Sequence, residues 1–162
     1  IFLSEKASNK EYEKKHKEYF EELQKRHIRK IAFGDIFLEP IRKYRDELLG
    51  SFGMQAIYPL WEESTDKLYD EFLSSGFQAR VSAIDLLSLD ESFLNRDLNE
   101  EFRNDLPEDI DVCGENGEYH SFVFNAPYFN SALTVQCIET VDRDFRPEIE
   151  MMIRSCKLKL IS

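Results

Sequence analysis

The sequence has few of the residues that build covalent or metal frameworks: three cysteines, three histidines and six glycines in 162 residues. An odd number of cysteines without paired spacing argues against a disulfide framework and for a reducing compartment, so we expect a cytoplasmic protein. Cysteine and histidine do not occur at zinc-site spacing, so no metal-binding cluster is predicted. No run approaches the roughly eighteen apolar residues of a membrane-spanning helix, and we therefore expect no membrane association.

The whole chain has a net charge of −11, and basic residues are scarce in one part of it. Residues 1–60 contain 12 Lys and Arg against 10 Asp and Glu, whereas residues 62–118 contain 4 against 17. An acidic surface of this kind repels phosphate backbones, so nucleic acid is not an expected partner. A solvated acidic face that aids solubility is the preferred explanation.

The first sixty residues show helix and strand signals in turn. A capping box that begins at Ser8 predicts a helix to about His27, residues 28–33 are typical of a strand, and a helix is predicted over residues 40–49. Helix, strand, turn and helix form an α/β unit, which indicates a parallel sheet. Ligands of such sheets bind at the carboxyl ends of the strands.

Polar residues follow the predicted strand at such a carboxyl end. Asp35, directly after Gly34, could orient a ribose, a metal ion or an amine, or it could cap the turn. Arg42 and Arg45 lie three residues apart on the next helix, so both could reach one anion. The alternative is that these arginines form surface pairs with neighbouring acids.

The second part of the chain mixes helix and strand patterns. Trp61, the one tryptophan, is interpreted as a packing residue at the junction of two subdomains or as a surface on which a substrate stacks. A helix capped by Ser64 or Thr65 is predicted to end at Gly76, and alternation over residues 77–83 predicts a strand. Residues 86–112 are predicted to be irregular. Alternating apolar residues near the carboxyl terminus predict further strands of a closing sheet.

A glycine-bearing polar stretch, residues 113–121, leads directly into the apolar run 122–124, which is typical of a buried strand. Glycine lets a ligand approach the main chain closely, and loops held by rigid strands often carry binding and catalytic groups. The stretch contains two carboxylates, an amide and an imidazole: Glu115, Glu118, Asn116 and His120. An ordinary turn with solvated acids is the alternative for the carboxylates, and a histidine packed against the core is the alternative for the imidazole.

Three motifs, in this order, resemble those of the diphthine–ammonia ligase family, also described as N-type ATP pyrophosphatases. They are Gly-Asp-Ile-Phe-Leu-Glu at 34–39, Pro-Leu-Trp at 59–61 and Cys-Gly-Glu-Asn-Gly-Glu-Tyr-His at 113–120. The resemblance runs from Asn9 to about Phe129, and the His-Ser at 120–121 resembles the bacterial branch. Asn95 replaces a glycine of the family's Leu-Gly-Arg element, and asparagine also tolerates a left-handed backbone.

The resemblance implies an α/β fold with two domains. Residues 1–60 would be the C-terminal part of a Rossmann-like ATP pyrophosphatase domain, the end of a HUP-like parallel sheet related to adenine nucleotide alpha hydrolases. Residues 61–162 would be an α+β, family-specific substrate-binding domain. The family's Ser-Gly-Gly-x-Asp-Ser phosphate loop is absent from this sequence. We therefore expect a preceding segment to supply it and this chain alone to be inactive. Residues 1–3 would be the tail of a strand whose open edge could promote a homodimer.

The resemblance also implies the chemistry. In the family, ATP with Mg²⁺ adenylates a carboxylate and releases pyrophosphate, and ammonia then displaces AMP to form an amide. In archaea and eukaryotes the carboxylate is that of diphthine on elongation factor 2, whereas a bacterial member would need another substrate. The implied roles are nucleotide binding by Gly34 and Asp35, substrate binding by Asn116, Arg42, Arg45 and Trp61, and catalysis by Glu115, Glu118 and His120. The alternative is a non-catalytic binding module for a protein or a small carboxylic acid.

Overall fold

The computed structural model describes residues 9–146 and 151–161. The chain divides into two compact units, Ile1–Glu62 and Glu63–Ser162. The first contains a parallel two-stranded sheet and the second an antiparallel four-stranded sheet, which confirms the predicted α/β class. The strand expected at residues 1–3 and the cap expected at Ser8 lie outside the described residues.

The first unit is a short α/β unit. Its elements are α1 (Asn9–Lys25), β1 (Lys30–Ala32), α2 (Glu39–Gly50) and β2 (Gln55–Ile57). β1 and β2 pair in parallel, as the helix–strand–helix order predicts. Lys30 lies opposite Gln55 in this pair. β2 escaped prediction because three residues are too few to establish an alternating pattern. Both helices bury apolar residues in one core, which contains Phe20, Leu23, Leu49 and Met54.

The second unit follows an α+β order. Its elements are α3 (Thr65–Ser74), β3 (Gln78–Asp85), α4 (Glu100–Asp105), β4 (Tyr119–Asn125), β5 (Val135–Arg146) and β6 (Met151–Leu160). Ser64 caps α3 by accepting a hydrogen bond from the Lys67 amide, as the sequence predicts, and Gly76 follows the helix with a φ of +81°. The strands run in the order β4-β3-β6-β5, with each neighbouring pair antiparallel.

The central strand β3 carries the core of the second unit. Val81 and Ile84 have no exposed surface, and they pack with aromatic residues of α3, α4 and the start of β4. The phenylalanine of α4, Phe102, is fully buried and contacts the Tyr119 ring edge-on, with 5.3 Å between ring centroids. Tyr119, the residue directly after Glu118, is thereby held in the core.

The prediction that residues 86–112 are irregular is wrong in two places. A 3₁₀ helix spans Glu91–Phe93, and α4 follows at Glu100–Asp105, where the side chain of Asn99 caps the first turn. Between them, Asp97 forms an isolated antiparallel bridge with Arg80 of β3. These elements are too short for periodicity to reveal, and burial of Phe93 and Phe102 stabilises them. Within the described residues, no helix is both long and apolar enough to cross a membrane.

Candidate functional site

A tight double turn over residues 111–118 precedes β4. The Asp111 carboxylate organises it, because its Oδ2 accepts hydrogen bonds from the amides of Cys113 (3.1 Å) and Glu115 (2.9 Å). Gly114 and Gly117 adopt φ values of +69° and +94°, the left-handed region that glycine enters without strain. A Cβ on Gly114 would lie 2.9 Å from both Cδ1 and the carbonyl oxygen of Tyr119. The conformation of this turn is therefore fixed by its hydrogen bonds, its glycines and its packing on Tyr119.

Glu118 ends the turn with a buried carboxylate, 6 % exposed. Its Oε1 accepts hydrogen bonds from the Asp111 amide (3.1 Å) and from the Asn116 side-chain amide (3.0 Å). Its Oε2 is also buried, and no described residue offers it a hydrogen bond. Leaving a buried acceptor unsatisfied costs about 1–3 kcal/mol. The oxygen is therefore positioned to receive a donor that the described protein does not supply.

The thiol of Cys113 and the hydroxyl of Tyr119 are held in their neutral forms. The Cys113 thiol donates to the carbonyl oxygen of Thr65 (3.3 Å), and burial, followed by the nearby acids, raises its pKa to about 12. The Tyr119 hydroxyl donates to the carbonyl oxygen of Val112 (2.5 Å), and burial raises its pKa. Neither group supplies a nucleophile or a proton acceptor near neutral pH.

The other predicted residues of this stretch differ in their exposure to solvent and in their hydrogen bonds. Asn116 is exposed but holds Glu118 through its amide, while Glu115 is half-buried and its amide is bound to Asp111. His120 is exposed on β4, and its carbonyl oxygen accepts from the Ser82 hydroxyl (3.2 Å). The imidazole is thus accessible to solvent rather than packed in the core.

Asp111 was missed by sequence reasoning, although its position offered a signal. An aspartate two residues before Cys-Gly can accept hydrogen bonds from the following amides and so stabilise a turn. Another buried acid, Asp85, is fully satisfied: its oxygens accept from the amides of Leu87 and Met152 and from the Ser88 hydroxyl, all within 3.2 Å. Asp85 is therefore a structural group at the end of β3, in contrast to Glu118.

In the first unit, the structure brings Asp35 and Arg45 together. Nη2 of Arg45 donates to Oδ1 of Asp35 (3.1 Å), and Nε lies 2.7 Å from Oδ2 without pointing along a hydrogen bond. The Arg45 guanidinium also lies over the Phe33 ring, 4.3 Å from its centroid. Asp35 is 12 % and Arg45 31 % exposed, so this pair is largely closed to solvent. Beside it, no described atom lies within 4 Å of where a Gly34 Cβ would be.

Arg42 lies apart from this ion pair, against two aromatic rings. Its guanidinium carbon is 4.4 Å from the Trp61 ring centroid and 5.2 Å from that of Tyr58. The Tyr58 hydroxyl donates to Oδ1 of Asp46 (3.0 Å), and burial, followed by that hydrogen bond, raises the pKa of Tyr58 to about 12. Trp61 thus packs on an arginine of its own unit.

The acidic and imidazole side chains of the described residues are too dispersed for a metal site. Within residues 9–146 and 151–161, no three His, Cys, Asp or Glu side chains are grouped closely enough to hold one. Asp35, the predicted residue best suited to Mg²⁺, is already paired with Arg45. These residues do not fit a magnesium site.

The second unit is thus an α+β domain whose antiparallel sheet carries, directly before β4, an acidic turn with a buried, half-satisfied carboxylate. Residues 64–152 match the sequence profile of the family described as diphthamide synthase C-terminal domain. Because the match covers more than half of the chain, the chain belongs to this family. The family resemblance predicted from the three motifs is confirmed, and the bacterial branch stays a prediction.

Curated relatives agree with this assignment. The chain is 28% identical over 123 residues to "Diphthine--ammonia ligase" of Bos taurus and of Homo sapiens, which covers 73% of this chain and 46% of each relative. The protein of the same name from Schizosaccharomyces pombe is 22% identical over 136 residues, 22% of its length. The chain therefore spans about half the length of the mammalian relatives that it matches.

Proposed function

We propose that this chain is part of an ATP-dependent amide-forming ligase, in which a carboxylate is activated with release of pyrophosphate and then amidated by ammonia. The relatives named diphthine–ammonia ligase support a ligase of this kind. The observation that carries the proposal is the buried Oε2 of Glu118, which lacks a donor among the described residues.

The charges around Glu118 favour ammonia over the acyl group as its ligand. Asp111 and Glu115 flank it in the same turn, and the side-chain hydrogen bonds that join one residue of the turn to another all end on carboxylate oxygens. A substrate carboxylate brought here would be repelled, whereas ammonium would be attracted and would offer the missing N–H donor. We therefore assign Glu118 to the binding of ammonia rather than of the acyl group.

Ammonium attracted to Glu118 would lose one proton to solvent, and the resulting ammonia would donate an N–H to Oε2 and keep its lone pair for attack on the activated carboxyl carbon. As the nitrogen–carbon bond forms and the bond between that carbon and the AMP oxygen breaks, the nitrogen becomes acidic, and Glu118 would accept a proton from it. The hydrogen bonds from Asp111 and Asn116 fix the other oxygen, so the carboxylate cannot rotate away. The exposed His120 could then pass the proton to solvent.

ATP, when bound, supplies the group that activates the carboxylate. On this chain the carboxyl ends of β1 and β2 are the proposed nucleotide and substrate side, where Gly34 leaves open space and Arg42 carries positive charge. If the chain is archaeal or eukaryotic, the substrate would be diphthine on elongation factor 2, and otherwise another carboxylic acid.

The test measures pyrophosphate release from ATP by the natural protein that carries this chain, with and without ammonium and candidate carboxylic acids. Amide formation is measured in the same reactions, and we expect Glu118→Gln, which keeps the shape but removes the charge, to lower it by about 10²-fold or more. The matched control is Glu101→Gln, an exposed glutamate on α4. Equal activity of the two variants would contradict the role of Glu118. Absence of both ATP binding and release would favour a non-catalytic binding module.

A further inference from the structure

The structure separates the two arginines of α2, and we propose that Arg42, held against Trp61 and Tyr58, is an oxyanion-binding residue that takes a phosphate or carboxylate group. Arg45 does not share this role. The proposed function supplies the two candidate oxyanions, whereas the binding test below requires no catalysis, so the two proposals can fail separately.

Arg45 is excluded as an oxyanion-binding residue because its guanidinium is already paired with the Asp35 carboxylate. Two of its guanidinium nitrogens lie against the two oxygens of Asp35, at 3.1 and 2.7 Å, and Asp35 is only 12 % exposed. An incoming anion would have to displace a largely buried carboxylate. Arg45 therefore positions the turn after β1, and its net charge toward a ligand is offset by Asp35.

Arg42 keeps its hydrogen-bonding capacity. Asp46 is the carboxylate nearest to it, but 4.0 Å separates Nε from Oδ2, and the other oxygen of Asp46 accepts from the Tyr58 hydroxyl. Within the described residues, no acceptor is hydrogen-bonded to the terminal nitrogens of Arg42. With its side chain 35 % exposed, the guanidinium is accessible to a ligand.

The aromatic corner orients this guanidinium in advance. The Trp61 and Tyr58 rings meet edge to face, 6.0 Å apart, and Arg42 lies over both. Stacking restricts the long side chain and leaves its planar edge for a bidentate contact with an oxyanion. Less conformational freedom is then lost on binding than for a free surface arginine.

The corner also stands where an α/β sheet binds its ligands. Tyr58 follows β2 directly, and Arg42 lies one turn into α2, the helix that follows β1. Both elements therefore extend from the carboxyl ends of two paired parallel strands. Phosphate and carboxylate share the geometry that the guanidinium fork recognises, so the structure indicates an oxyanion as the ligand. The experiment below distinguishes a phosphate from a carboxylate.

Trp61 makes the test direct, because the chain has one tryptophan and its ring contacts Arg42. The 162-residue chain is titrated with pyrophosphate, with succinate and with sodium chloride at matched ionic strength, and tryptophan emission is recorded. We expect tryptophan emission to change in a saturable way with pyrophosphate, with succinate or with both. With sodium chloride we expect only a linear drift of the emission. A response to pyrophosphate alone assigns a phosphate, a response to succinate alone a carboxylate, and a response to both a shared oxyanion site.

Variants then assign the response to Arg42. Arg42→Gln is expected to raise the dissociation constant about tenfold or more, which is the loss of one charge-assisted contact. The dissociation constant of Arg42→Lys should lie between those of the unaltered chain and Arg42→Gln, since an ammonium keeps the charge but not the planar fork of the guanidinium. Lys43→Gln removes the same charge from the next residue, which is exposed, and should leave the dissociation constant unchanged. Calorimetric titration gives the same constants without relying on tryptophan. No saturable response in the unaltered chain, or equal constants for Arg42→Gln and Lys43→Gln, would overturn the proposal.

Discussion

Replacing Gly114 by alanine tests whether the acidic turn is specified by its backbone. The position has a φ of +69°, where a residue with a Cβ costs about 1–2 kcal/mol relative to glycine. The new Cβ would also lie 2.9 Å from the Tyr119 ring and 2.9 Å from the Tyr119 carbonyl oxygen. Because the ring is buried and the oxygen belongs to the backbone, neither can move freely, and overpacking of this kind costs about 1–3 kcal/mol more.

We therefore expect Gly114→Ala to lower the free energy of unfolding by about 2–5 kcal/mol, measured by urea unfolding followed by circular dichroism. Gly76→Ala is the matched control, since Gly76 has a φ of +81° but the nearest atom to its added Cβ is a proline carbon 3.9 Å away. That variant carries the backbone strain without the clash and should lose about 1–2 kcal/mol. If Gly114→Ala is no less stable than Gly76→Ala, the packing of the turn against Tyr119 has been misjudged.

Three further predictions concern other contacts. Asp35→Asn should destabilise the chain by about 1–2 kcal/mol in urea unfolding, because the Arg45 guanidinium loses a charged partner, and an unchanged midpoint would contradict the ion pair. The buried thiol of Cys113, with a pKa raised from 9.0 to about 12, should react with iodoacetamide far more slowly in the folded than in the urea-unfolded chain at pH 8, and its contribution to stability should fall only above about pH 9, where the unfolded thiol ionises first. Asn99→Ala removes the acceptor for the Phe102 amide at 2.8 Å and should cost about 1 kcal/mol, whereas a loss within error would show that the cap is dispensable.

Particular residues show how far the sequence could lead. The helix from residue 39 and the cap at Ser64 were predictable, because proline and serine act through the backbone of their own turn. The stretch 113–121 was recognisable for the same reason, since glycine spacing and the acids are local features. The helix at Glu100–Asp105 was not predicted, because burial of Phe102 against distant rings decides it.

The sequence by itself determined the α/β class, the family and the acidic turn, since these depend on periodicity, motif order and glycine positions. Only the tertiary structure decided which acid is left unsatisfied and which arginine is left accessible. Asp85 and Glu118 are both buried acids, yet amides and a hydroxyl surround the first and leave one oxygen of the second without a donor among the described residues. Arg42 and Arg45 lie three residues apart on one helix, and a carboxylate ten residues before Arg45 separates their roles. Electrostatic and hydrogen-bonding partners are set by distance in space, which residue spacing along the chain does not encode.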